Sequence, residues 1–183
     1  LPDPLKMESG DPVRDAAMWR EQRRPELLRL FETHVYGRTP ADRAEMAVDE
    51  PEVERGVLGG AATRKQVTLR FRRNGRELPV DLLIYLPAKA TGPVPAFLGL
   101  NFQGNQSISA DPGIRLARSW LPDRNTGVAN NRATDAARGT AASRWPVETI
   151  VGRGYALATA YYGDFDPDFD DGFANGVHPL FLR

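Results

Sequence analysis

No feature restricts the folding of this chain more than Asn74-Gly75, set between two runs of alternating apolar and polar residues, "QVTLRF" and "LPVDLLIYLP". A two-residue turn between antiparallel strands needs positive φ at both central positions, and Asn-Gly is the pair that accepts it. The spacing therefore predicts a β-hairpin, and the period of two begins at about residue 44. A Pro-rich connector leads from the hairpin into "AFLGL", residues 96–100, a short apolar run suited to a strand buried on both faces. "WPVETIVGRG" reads as a helix with Pro146 in its first turn, Glu148 near its positive end, and Gly152 and Gly154 at its exit. "YALATAYY" follows as a second buried strand. Antiparallel strands followed by a strand–helix–strand unit specify a mixed sheet covered by helices.

Ahead of the hairpin, residues 1–13 are Pro-rich and read as extended. Asp15 to Arg23 has helical composition, and Pro25 suits the first turn of a second helix, where its missing N–H costs nothing. Leu27, Leu28, Phe31 and Val35 give that helix one apolar face, and Gly37 and Pro40 end it. Between the two buried strands lies a polar stretch from Asn101 to Ser143. A connection that long inside a domain implies a functional use or additional short elements. The chain's 183 residues suit a single domain, with residues 1–43 as an arm of helices and 44–183 holding the first strands, the crossover helix and the loops of the site.

Charge and cysteine content remove several classes of function. Lys plus Arg and Asp plus Glu each total 24, so no global field favours nucleic acid or an anionic membrane, and neither is expected as a partner. Without cysteine, no disulfide framework, thiolate zinc site or cysteine nucleophile can form. No apolar run approaches the ~20 residues of a membrane span. The start "LPDPLKMESGDP" lacks a basic segment followed by an apolar stretch and reads as a mature end or a boundary, compatible with an earlier removal of a signal peptide. Composition leaves cytoplasm and periplasm equally open.

In open α/β sheets ligands gather at the carboxyl ends of the strands. Two segments fall there: Asn101, Phe102, Gln103, Gly104 and Asn105 after the first buried strand, and "DFDPDFDDG", residues 164–172, after the second. The former suits either an ordinary turn or the oxyanion side of an acyl-transfer site, because Gly104 allows close backbone approach. The latter is tested as a calcium loop and fails in both registers. From Asp166, Asp171 replaces the required glycine and Val177 the required glutamate; from Asp164, Phe169 takes the glycine's place. A different calcium geometry and a bend with inward rings and outward carboxylates both remain open. The five serines, Ser9, Ser107, Ser109, Ser119 and Ser143, do not lie in G-x-S-x-G, and Ser143 borders the helix that follows it. With His34 and His178 as the two histidines, no complete Ser-His-acid triad is legible. Trp120, Trp145, Tyr161 and Tyr162 are residues that stack on sugars or pack in cores and loops.

"LLRLFETHVYGRTP", "PAFLGLNFQGN", "SRWPVETIVGRGYALATAYYGDFDPD" and "DDGFANGVHPLF" together resemble the bacterial glucuronoyl esterases of carbohydrate esterase family fifteen, some relatives of which are labelled acetyl xylan esterase. The similarity runs from about residue 19 onward, and residues 143–181 are its most specific part. The resemblance implies the α/β class and, within it, the N-terminal part of an α/β-hydrolase three-layer sandwich, incomplete here: a mixed sheet with an antiparallel hairpin and helices on both faces. It implies hydrolysis, through a Ser-His-acid triad and without cofactor or metal, of esters joining lignin alcohols to 4-O-methyl-glucuronic acid on xylan. Acetyl xylan esterase activity or a non-catalytic carbohydrate-binding module is the alternative. The partners implied are a glucuronoxylan or lignin–carbohydrate ester and the missing C-terminal part of the domain; the implied location is secreted or periplasmic. The family's nucleophile lies in a Gly-x-Ser-Arg-x-Gly-Lys elbow beyond the "HPLF" position, so no catalytic residue carries over. Asn101–Asn105 would border the active site, with Gln106 where the family often has His, and Asp164 would help shape it. His178 matches a family position that is not the catalytic histidine. Such a half-sheet is expected to leave the strand at 155–160 without its usual cover, so that the chain alone is unstable or associates.

Overall fold

A computed structural model describes residues 3–181. The chain divides into two compact units between Arg43 and Ala44.

In the first unit, helical turns run without a break from Ala16 to Tyr36: α1 (Ala16–Met18), a π-turn (Trp19–Arg23), α2 (Arg24–Phe31) and a second π-turn (Glu32–Tyr36). The Asp15 carboxylate accepts from the Met18 N–H at 2.8 Å and caps the start; Gly37, at φ 70°, closes the end. Pro25 falls in the first turn of α2, as the sequence suggested, although α2 continues directly from the π-turn before it. At the junction the Arg24 N–H reaches back to the Trp19 carbonyl, and this wider turn carries the chain past the missing Pro25 N–H. Residues 3–13 are folded back rather than extended. The Val13 N–H donates to the Leu5 carbonyl, and Arg23, only 2% exposed, donates to the carbonyls of Pro4 and Asp3. Glu26 completes the clasp, accepting from Arg23 at 2.6 Å and from the Glu8 N–H.

The second unit is built on a six-stranded sheet. Its backbone is the hairpin of β3 (Ala62–Arg73) and β4 (Arg76–Pro87), paired from Ala62↔Pro87 to Arg73↔Arg76. Asn74 and Gly75 take φ 52° and 71°, the two positive values the turn requires. β1 (Glu45–Val48) and β2 (Glu52–Val57) pair antiparallel with successive parts of β3 on its outer edge. On the other side of the hairpin come β8 (Ala156–Tyr161), antiparallel to β4, and then β5 (Ala96–Asn101), parallel to β8. The long connection contributes a short 3₁₀ turn at Asn105–Ile108, a small hairpin of β6 (Val128–Ala129) and β7 (Arg132–Ala133), and further 3₁₀ turns.

Each face of the sheet has a core. Leu83, Tyr85 and Leu157 meet Ile108, Ile114 and the helix α3 (Val147–Gly152) on one face. Leu78, Val80 and Ala160 meet Phe165, Val177 and α4 (His178–Phe181) on the other. The period-two alternation of β4 divides its side chains between these two cores. The fold is thus the mixed sheet with an antiparallel hairpin and helices on both faces, the architecture of part of an α/β-hydrolase sandwich.

Two local expectations are corrected and a third holds. Pro146 stands before α3 as its N-cap position, with no side-chain cap, rather than in the first turn. Ser143 does border that helix, across a 3₁₀ turn at Ala142–Arg144. The strand left uncovered is β5 and not the one at 155–160. β8 inserts between β4 and β5 and is buried along its length, while Phe97, Leu98 and Leu100 of β5 are 56%, 78% and 50% exposed. Composition described both strands as buried; only the order of strands determines which of them becomes the edge.

Candidate functional site

β5 and β8 run parallel, so the Asn101–Asn105 segment and the Tyr162–Asp164 turn emerge at the same end of the sheet. A chain of buried amides ties the first segment down. Asn101, fully buried, donates through Nδ2 to Asn105 Oδ1 at 2.7 Å and to Thr159 Oγ1 at 3.1 Å. Asn105 donates onward to the Asp81 carbonyl at 2.8 Å, and Ser107 Oγ donates to the Gly104 carbonyl at 2.7 Å. Gln106, also fully buried, bridges the Gln103 carbonyl and the Ala117 N–H. Gly104 sits at φ 85° and ψ 152°, where a Cβ would lie 2.6 Å from the Gln106 amide and 2.9 Å from the Ala117 Cβ. Glycine is required there twice over, by backbone conformation and by space. Phe102 alone projects, 70% exposed, with its ring 5.1 Å from that of Tyr162. The result is a bend cross-linked by its own amides, in which the buried Asn101 Oδ1 has no hydrogen-bond partner among the described residues.

Asp164 is buried beside this bend. It accepts from Ser119 Oγ at 2.5 Å and from the Asp81 N–H at 3.2 Å. Burial raises its carboxyl above the usual aspartate range, and these two hydrogen bonds oppose the rise without cancelling it. Asp81 therefore joins both segments through its backbone, its carbonyl holding Asn105 and its N–H holding Asp164. Its carboxylate meanwhile takes Thr68 Oγ1 at 2.6 Å and the Arg118 guanidinium at 2.9 Å. Nothing in the sequence marks Asp81 for this role. It reads as an ordinary polar residue of an alternating strand.

The rest of the aspartate run is turn chemistry. Asp170 accepts from the Gly172 N–H, Asp171 from the N–H groups of Ala174 and Asn175, and Asp168 lies 3.6 Å from Arg124. Among the described residues no cluster of three or more His, Cys, Asp or Glu side chains is arranged to hold a metal ion. Inward rings and outward carboxylates describe only part of the run. Phe165 packs into the core, but Phe169 is 40% exposed against Trp120, and Asp164 points inward.

Ser119 is hydrogen-bonded to Asp164, Ser107 to Gly104, and His178 lies 3.5 Å from Asp166 with its ring against Phe173. His34 occupies the exposed last turn of the helical run. No serine–histidine hydrogen bond occurs among the described residues. Of the aromatic residues singled out above, Trp145 packs on the core and its indole covers Gly99 of β5, while Tyr161 is buried with its hydroxyl donating to the Trp120 carbonyl at 2.9 Å. Tyr162 is half-buried, and burial together with the neighbouring Asp168 pushes its hydroxyl up to about 12. Trp120, Asp164, Arg118 and Arg132 line a cavity of about 550 Å³.

No family model matches the chain. Its whole length is 44% identical to a curated protein named carbohydrate esterase MZ0003, from an unknown prokaryotic organism, of which it covers 42%. Among solved structures it is similar to a glucuronoyl esterase from Solibacter usitatus at a TM-score of 0.86 and 44% identity, over all of this chain and 46% of the other. A promiscuous CE15 esterase from a marine bacterial metagenome matches at a TM-score of 0.81 and 44% identity, over 98% of this chain and 44% of that one. The chain spans a little under half the length of each of these relatives. With sequence and fold agreeing over essentially all its residues, the chain is a homologue of the CE15 carbohydrate esterases, corresponding in length to somewhat less than half of one.

Proposed function

We propose that the protein is a carbohydrate esterase that hydrolyses esters of 4-O-methyl-glucuronic acid on xylan by acyl transfer through a serine ester. The observation that carries this reading is 44% identity over the entire chain to a glucuronoyl esterase of the same fold. In this reading Asn101–Asn105 lines the oxyanion side, and the nucleophile, its base and its acid come from outside residues 1–183. The hydrogen bonds that hold the Asn101–Asn105 bend suit that task, because donors fixed in advance stabilise a developing oxyanion without reorganising during the reaction. Asp164 shapes the neighbouring loop through Ser119 and Asp81. Secretion or a periplasmic location fits a polymeric plant substrate.

The test is hydrolysis of a methyl or benzyl ester of glucuronic acid by residues 1–183 alone and by a longer protein containing them. Turnover by the longer protein, with none by residues 1–183, is expected. Activity on acetylated xylan with none on the uronate esters would reassign the substrate, and no ester hydrolysis by the longer protein would reject the proposal.

A further inference from the structure

Ser119 and Asp164 form a pair for which the ester hydrolysis proposed above has no use. The Ser119 hydroxyl donates to Asp164 Oδ1 at 2.5 Å, and both residues line a cavity of about 550 Å³, within the usual range of small-molecule sites. Asp164 is 8% exposed, whereas Ser119 is half-buried in the cavity wall. The second carboxylate oxygen, Oδ2, accepts from the Asp81 N–H at 3.2 Å, and this contact orients the carboxylate toward the serine. A hydroxyl bonded to a base that a third group orients is the arrangement of an activated nucleophile, whatever residue supplies the base.

The serine is held in place through the backbone on either side of it. The Arg118 carbonyl accepts from Arg132 Nη1 at 3.1 Å, and the Trp120 carbonyl accepts from the Tyr161 hydroxyl at 2.9 Å. Asn131 fastens the next residue, Leu121, at both its N–H and its carbonyl. A nucleophile and base already fixed against each other spend less entropy in reaching the reactive geometry.

The electrostatics suit a base. Burial is the largest influence on the Asp164 carboxyl and raises it above the usual aspartate range. A carboxylate so raised takes a proton more readily at neutral pH than an exposed one does. The charged groups nearest to it, the Asp81 carboxylate and the Arg118 guanidinium, are paired with each other at 2.9 Å, and the buried Tyr161 hydroxyl keeps its proton.

We propose that Ser119 is a nucleophile in its own right, with Asp164 as its general base, and that it takes an acyl group from small aryl esters. Ser119 Oγ bonds to the acyl carbon, and the bond from that carbon to the aryl oxygen breaks. The phenolate leaves with the electron pair, and the serine's proton passes to Asp164 Oδ1 and from there to water. A phenolate departs without being protonated, as an alkoxide does not, so the reaction is one of activated esters. It stands apart from the hydrolysis of uronate esters and does not depend on that reading.

The test treats residues 1–183 with p-nitrophenyl acetate, follows the release of p-nitrophenolate and locates the acetyl group by peptide mass mapping. A burst approaching one phenolate per chain is expected, with the acetyl group on Ser119. The rate at Ser119 should rise with pH as Asp164 ionises, through a midpoint above the usual aspartate range, and then level off. Asp164→Asn, which still accepts from the hydroxyl but cannot take its proton, should slow acetylation of Ser119 by about a hundredfold. Ser119→Ala should abolish the burst. A hydrogen bond that serves only the fold would produce neither the pH profile nor the loss in Asp164→Asn. Circular dichroism establishes that each variant is folded. Acetyl groups on lysines with Ser119 unmodified, or equal rates at Ser119 in the parent and in Asp164→Asn, would overturn the proposal.

Discussion

Replacing Asp111 with alanine should destabilise the protein more than most single changes, because its carboxylate is half of a buried ion pair. The side chains of Arg64 and Asp111 are 6% and 8% exposed and in direct contact. Asp111 also accepts from the Tyr85 hydroxyl at 2.8 Å and from the Gly113 N–H at 3.0 Å. Burial alone would raise its carboxyl; Arg64, Tyr85 and Gly113 outweigh that and hold it below the usual aspartate range. This knot is what lays the segment around residue 111 onto the sheet, with Gly113 so close to Arg64 that no Cβ would fit. Asp111→Ala leaves the guanidinium with Glu54, whose side chain is 62% exposed and screened by water, and leaves the Tyr85 hydroxyl without its acceptor. Removing one partner of a buried pair costs about 3–5 kcal/mol, and the surviving contact with Glu54 places the loss near the lower end, at about 3–4 kcal/mol. At about 2–4 °C per kcal/mol for a domain of this size, the melting temperature should fall by roughly 6–16 °C. The assay is thermal unfolding by circular dichroism of Asp111→Ala, Arg64→Leu and the double variant. Because the double variant removes both buried charges, it should be less damaged than the two single losses summed. A drop of under about 2 °C for Asp111→Ala, or strict additivity in the double variant, would refute the reasoning.

Gly104→Ala should destabilise the Asn101–Asn105 bend by at least about 1–3 kcal/mol of backbone strain, since the buried Gln106 amide cannot yield; a melting temperature within 1–2 °C of the parent would contradict this. Asp164→Asn should alter the pH dependence of stability. The folded carboxyl binds its proton more tightly than the unfolded one, so the parent loses stability as pH rises from about 4 through the raised value. Asn removes that loss, so the variant should gain on the parent between acid and neutral pH; melting curves across that range check it, and a constant offset would count against it. The exposed β5 edge should make residues 1–183 associate as concentration rises, and Leu98→Lys should shift the chain toward monomer in sedimentation velocity. A cooperatively melting monomer of the unaltered chain would show that the edge is harmless.

Local order was legible in the sequence wherever one or two residues decide it. Asn74-Gly75 determined the hairpin because few other pairs accept two positive φ values in succession. Alternation along 78–87 determined which side chains of β4 enter the cores, and Gly37 ended the first unit's helical run. The strand–helix–strand pattern determined the parallel pairing of β5 with β8. The bend at Asn101–Asn105 was placed correctly at the end of its strand, for the same reason.

Tertiary structure decided what depends on residues far apart. β8 lies between β4 and β5, so the run "AFLGL" became an exposed edge although its composition is that of a buried strand. The π-turn at Trp19–Arg23 joins α1 to α2 without a break, a continuity no propensity scale registers. Asp81, 83 positions before Asp164 and 24 before Asn105, became their common anchor through backbone atoms that every residue possesses. Of five aspartates in one run, burial selected Asp164 alone; Asp170 and Asp171 hold turns, and Asp166 and Asp168 lie beside His178 and Arg124. Sequence carries the local rules of conformation; which of several similar residues loses its water is determined only when distant segments pack together.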